Sequence, residues 1–101
     1  MTMTMGDEWR TEDSEALCLA LLRLRTTDEM ADFLRDLCTL QEIEALSSRW
    51  AVVRLLDQGL PYRQIALATG VSTATITRIN QWLQHGTGGY RLALRRTRKK
   101  P

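Results

Sequence analysis

The side chains best suited to chemistry lie between Pro61 and Leu83, in the segment PYRQIALATGVSTATITRINQWL. Thr73, Ala74, Thr75 and Thr77 are small or hydroxylated and follow Ser72 closely. On the first turns of a helix, such residues can come close to the edges of DNA bases in a major groove. None has a long donor fork, so arginine-to-guanine readout is not expected from them. Readout would lean on thymine methyl groups, bridging water and DNA shape. Gln81, farther along the same helix, could reach an adenine. Candidate phosphate contacts are Arg63, Arg78, Arg54 and the terminal Arg95, Arg96, Arg98, Lys99 and Lys100. Ser72 fits an N-cap, and the free backbone N–H groups beyond such a cap favour a phosphate.

The elements that must position these residues are two short helices joined by a tight turn. Ile65, Val71, Ile76 and Ile79 are spaced to pin the helices together, and Ala66 is small where they cross. Gly70 falls where the turn needs a positive φ, which glycine adopts at no steric cost. Each residue alone is a weak signal. Together they predict a helix-turn-helix over 61–84, with two competing readings: a plain helical hairpin, or a helix-turn-helix that docks on protein.

Charge is divided unevenly along the 101 residues. The total is only +2. Residues 1–44 hold eleven acids and four arginines, net −7, whereas residues 45–101 hold ten bases and the single acid Asp57, net +9. The basic half contains the helix-turn-helix, as expected if that half faces phosphates. The competing account is a solvated basic face with a charged tail.

Other chemistry finds little support. Cys18 and Cys38 form no CxxC motif, and His85 is the only histidine, so no metal site and no cofactor are expected. Two lone cysteines suggest buried, reduced thiols and a cytoplasmic protein. The opening MTMTMGDEWRTEDSE is acidic and does not read as a signal peptide, and no apolar run is long enough for a membrane span. Clustered carboxylates, a Cys/His pair at workable spacing and a phosphate loop are all missing from the sequence, so no enzyme is expected. Met1, Met3 and Met5 leave the start codon open.

Residues 1–12 are expected to form a disordered acidic arm, 13–95 one helical domain, and 96–101 a basic tail. Leu17, Leu21 and Leu24 recur at helical spacing from Ser14 to Arg25. Thr26 with Glu29, and Thr39 with Glu42, read as capping boxes that begin two further helices. The third carries Ile43, Leu46, Trp50, Val53 and Leu56 on one face and ends near Gly59, with Pro61 placed to start the next. After the helix-turn-helix, HGTGG (85–89) breaks the chain before a last helix that begins with Tyr90, Leu92 and Leu94. The sum is six helices, all-α. Leu17 to Leu22 are consecutive apolar residues, which a surface helix of a monomer does not show. A homodimer that packs these N-terminal helices together is the economical solution; a covered central helix in a monomer is the alternative.

From Leu37 to Tyr90 the sequence resembles the Trp repressor superfamily. CTLQEIEALSSR (38–49) is the counterpart of that family's LTxxExxALxxR, and ATITR (74–78) matches closely. The continuation RINQWLQHGTGGY (78–90) is more similar to the YerC/YecD branch, where an Asn soon after the arginine and a GxGGY segment are typical. The resemblance implies a six-helix subunit in an intertwined homodimer, with the helix-turn-helix projecting as a DNA-reading head. It places Arg63, Thr73, Ala74, Thr75 and Thr77 at the operator, and Thr39, Arg49 and Arg78 at the tryptophan corepressor. Ile79 and Trp82 depart from the pattern, standing where Trp repressor has small Gly and Ser. An indole at 82 would compete for the volume of a free tryptophan, so tryptophan is not expected as corepressor. The small-molecule effector is left open, and Arg49 and Arg78 could instead reach phosphates or pair with acids.

The reading that unites these features is a dimeric bacterial transcription regulator, a repressor, bound to a pseudopalindromic site on double-stranded DNA. Its rivals are a protein-interaction module and the DNA-targeting piece of a mobile-element protein.

Overall fold

A computed structural model describes residues 8–98. Among them are six α-helices and no strand: α1 (Glu12–Arg23), α2 (Thr27–Leu37), α3 (Leu40–Asp57), α4 (Tyr62–Thr69), α5 (Thr73–His85) and α6 (Gly89–Arg98). Two compact units result, one ending at Leu40 and the other starting at Gln41.

The N-terminal unit is set by its caps. Thr11 Oγ1 accepts from the Ser14 N–H at 3.1 Å, while Ser14 Oγ accepts from the Thr11 N–H at 2.8 Å. This reciprocal box starts α1 at Glu12, two residues before the apolar spacing begins at Ser14. Thr11 and Glu12 thus belong to the helix start, while the first seven residues of the expected arm lie outside the described residues. In α2 the cap is offset. Thr26 Oγ1 accepts from the Glu29 N–H at 3.0 Å, but Glu29 Oε1 reaches back to the N–H of Arg25, one residue ahead of the cap.

Neither α1 nor α2 buries a single side chain. Leu17, Leu19, Leu22 and Leu37 are all exposed, Leu22 to 77%. Cys18 is exposed and Cys38 half-buried, both free, where the sequence suggested buried thiols. The reason is the same throughout: two helices of 12 and 11 residues cannot enclose a core.

The C-terminal unit has a core: Val52, Val53, Ile65, Ile76, Ile79, Leu83 and Leu94, with Ala66, Val71 and Tyr90 packed around it. Ile65 and Ile76 are fully buried, each contributing about 1.5–3 kcal/mol relative to exposure. On α3 the apolar stripe of the sequence included Val53 but missed Val52. Adjacent residues point about 100° apart on a helix, so burial of both means that this end of α3 is covered from two sides. Leu46, on the stripe, is 47% exposed.

α6 continues to Arg98, so the expected boundary at 95 falls inside a helix and Arg96 to Arg98 are helical rather than tail.

Candidate nucleic-acid interface

The turn between α4 and α5 is fixed by short-range bonds. Pro61 caps α4 with φ −64°, pre-set by its ring, and its carbonyl accepts from the Ile65 N–H at 3.1 Å. Thr69 Oγ1 donates to the Ile65 carbonyl at 2.7 Å and accepts from the Val71 N–H at 3.2 Å, so one hydroxyl ties the last turn of α4 to the loop. Gly70 has φ +74°, the left-handed conformation expected of it, and its N–H donates to the Ala66 carbonyl at 2.8 Å.

Ser72 then caps α5. Its Oγ accepts from the Thr75 N–H at 3.2 Å and donates to Thr75 Oγ1 at 3.0 Å. The N–H groups of the first turn that have no helical partner face outward with the positive end of the helix dipole. Thr77 Oγ1 donates to the Thr73 carbonyl at 2.9 Å, so its hydroxyl proton is engaged within the helix.

Arg63, Ser72, Thr73, Ala74, Thr77, Arg78 and Gln81 are all exposed, on α4, its following loop and α5. Thr75 differs from the others: it is half-buried and lines a groove between α5 and the segment that follows it. No acid occurs between Pro61 and His85, so the cations Arg63 and Arg78 set the sign of this surface.

That groove, about 610 Å³, is bordered by Arg49, Arg78, Ile79, Trp82 and Tyr90. It brings together four of the five residues of the expected effector pocket; the fifth, Thr39, belongs to the N-terminal unit. Ile79 is buried, but Trp82 is 61% exposed, a wall of the groove rather than a plug in it. The cause lies one turn on. Gly86 closes α5, and a Cβ there would collide with the Trp82 carbonyl oxygen and lie 2.9 Å from ring atom Cε3. The indole edge therefore rests over a residue without a side chain, beside the groove. Tyr90, which also lines the groove, meets the ring of Trp50 with centroids 6.4 Å apart.

A polar chain escaped the sequence reading. Asn80 Nδ2 donates to the Tyr62 hydroxyl at 2.8 Å, Gln84 Nε2 donates to Asn80 Oδ1 at 3.3 Å, and Arg91 Nη2 donates to Gln84 Oε1 at 2.7 Å. It links the start of α4, the middle of α5 and the start of α6. The Asn80–Gln84 spacing of four was the available signal; nothing local announced the partners at either end.

Residues 12–98 match the family described as Trp repressor protein. The chain belongs to the Trp repressor family. It is similar to YerC, an uncharacterised protein of Bacillus subtilis (strain 168), with 38% identity over 93 residues, 92% of this chain and 89% of that one. Among solved structures it resembles a TrpR-like protein from Eubacterium eligens ATCC 27750, at TM-score 0.87 and 38% identity, covering 95% of this chain and 99% of the other. A candidate Trp repressor from Staphylococcus aureus is also similar, at TM-score 0.87 and 35% identity, covering 97% and 98%. The Trp repressor family consists of DNA-binding regulators rather than enzymes, so this all-α chain is a DNA-binding regulator by family. No helix among the described residues is long and apolar enough to cross a membrane.

Proposed function

We propose that the protein is a sequence-specific transcriptional repressor, a homodimer whose two α5 helices read successive major grooves of a pseudopalindromic site. The observation that carries this reading is the start of α5. It is capped by Ser72, presents Thr73, Ala74 and Thr77 to solvent, and belongs to a segment, Pro61 to His85, that contains no acid to repel a phosphate. In this reading Arg63, Arg78 and the free N–H groups after Ser72 hold backbone phosphates, which supply affinity. Thr73, Ala74 and Thr77 choose the sequence, with Thr75 at the edge of the reading surface and Gln81 one turn deeper. Half-sites would lie about one DNA turn apart, roughly 34 Å. A dimer seated across a promoter keeps other proteins off it, and that is repression.

The partner subunit would cover the apolar surfaces of α1 and α2, which bury nothing in one chain. Such a dimer would work in the cytoplasm. The groove beside α5 would be the effector site, with the large Ile79 and Trp82 on its walls at positions where the resemblance to Trp repressor puts small residues, so its shape and chemistry differ from a tryptophan pocket. Tryptophan would then not be the corepressor, and isothermal titration with L-tryptophan should show no micromolar binding.

The decisive experiment is selection of bound duplexes from a random DNA pool, followed by two variants. Arg63→Ala should weaken binding to all sequences alike, whereas Thr77→Ala should change the preferred sequence. No enriched two-fold-symmetric site, together with unchanged DNA affinity in both variants, would refute the assignment.

A further inference from the structure

We infer that the groove beside α5 takes a nucleoside monophosphate, a flat ring bearing a phosphate ester and no ammonium group, and that this ligand releases the protein from DNA. The inference rests on the reading of that groove as the effector site and of Arg78 as a DNA phosphate contact.

Charge selects the class of ligand. Arg49 and Arg78 line the groove, and no acid lines it with them. Neither guanidinium has a hydrogen bond or ion pair among the described residues. Two uncompensated cations on one groove call for an anion. A zwitterionic amino acid carries no net charge, and its ammonium finds no carboxylate on these walls. A simple carboxylate brings one negative charge. A phosphate monoester brings about −1.5 to −2 at pH 7 with three acceptor oxygens, which matches two guanidinium forks.

The other lining groups fit the same ligand. Thr75 Oγ1 accepts from Ser72 Oγ at 3.0 Å, so its own proton is left to donate. Gly88 and Gly89 also line the groove, at the start of α6. The Gly88 carbonyl accepts from the Leu92 N–H at 3.0 Å, and the N–H groups of the intervening turn have no helical partner. They add donors to those of the arginines. Trp82, 61% exposed, offers its indole to a flat base. The volume of about 610 Å³ lies within the usual range for small-molecule sites, about 300–1,000 Å³.

Regulation follows from Arg78. It lines the groove and is exposed, directly after Thr77 on the reading helix. A phosphate ester that holds this guanidinium takes it from the DNA backbone and sets its own negative charge beside that backbone. Ligand and DNA then compete, and each weakens the other by the same factor. The ligand is an inducer, not a corepressor.

The test uses the full chain, a duplex carrying the selected site, and the ribonucleoside 5′-monophosphates tested singly at constant ionic strength. At least one should quench tryptophan emission, and Trp82→Phe should remove most of that quench. The same nucleotide should lower DNA affinity and reduce the salt slope by about 0.9 per bound subunit. Its nucleoside and ribose 5-phosphate, each half of the ligand, should bind at least about tenfold more weakly. Trp82→Ala should weaken nucleotide binding by about 5- to 150-fold. Arg49→Gln should weaken it by about 10- to 150-fold, and DNA binding by that variant should no longer respond to nucleotide at concentrations that release the parent. No binding of any monophosphate below about 1 mM, ribose 5-phosphate binding as tightly as the nucleotide, or a bound nucleotide that leaves DNA affinity unchanged or raised, each overturns the inference. If the selected site is still bound and read in any of those cases, the DNA reading stands and only this inference is lost. If the parent binds no duplex, the DNA reading falls and takes the inference with it.

Discussion

Replacing Gly70 by alanine should destabilise the protein through the backbone alone. Gly70 has φ +74°, and a Cβ built on it meets nothing within 4 Å. No packing cost therefore arises. An L-residue in the left-handed region costs about 1–2 kcal/mol. Against this, alanine restricts the unfolded chain and recovers about 0.4–1 kcal/mol, so the net loss is about 1 kcal/mol. In a domain of this size that lowers Tm by about 4–8 °C. Asparagine tolerates the left-handed region better, so Gly70→Asn should fall between the parent and Gly70→Ala. Thermal unfolding followed by circular dichroism, at one fixed protein concentration, measures all three. Because the turn geometry is retained, DNA affinity under conditions where the variants are folded should be nearly unchanged. A Gly70→Ala protein as stable as its parent, or an asparagine variant no better than alanine, would refute the backbone argument.

Gly86→Ala should also destabilise, for the opposite reason. Its φ of −82° suits any residue, but the new Cβ would press on the Trp82 carbonyl and ring; an overpacking cost of about 1–3 kcal/mol should appear with a shift in tryptophan emission, and Trp82→Ala should relieve only the ring part. Ile76→Ala empties a fully buried position and should cost about 2–5 kcal/mol in denaturant unfolding, against about 0.5–1.5 for Ile76→Val. Tyr62→Phe removes the acceptor for Asn80; unfolding should show a loss of about 0.5–1.5 kcal/mol, and an equal loss when Asn80 is already alanine would contradict the hydrogen bond.

The two glycines show why the parts of the molecule differed in legibility. Gly70 could be read because its role is local: a positive φ between two helical patterns, followed by a capping serine three residues before Thr75. Gly86 could be seen only as a helix breaker, since its close approach depends on where the Trp82 ring lies. The same holds for the arginines. Their number and their place in the basic half are plain in the sequence, but not that Arg91 is held by Gln84 and Arg98 by Asp57.

The sequence by itself determined the six helices, the tight turn between α4 and α5, and the family to which the chain belongs. These follow from signals that act within about one helical turn: caps, turn glycines and apolar spacing. Tertiary structure alone decided that Val52 joins Val53 in the core, that Tyr62 meets Asn80 across 18 positions, and that Trp82 walls the groove beside α5 without closing it. Those outcomes depend on which surfaces meet once the helices pack, and residues far apart in the chain exert no influence on one another before that contact is made.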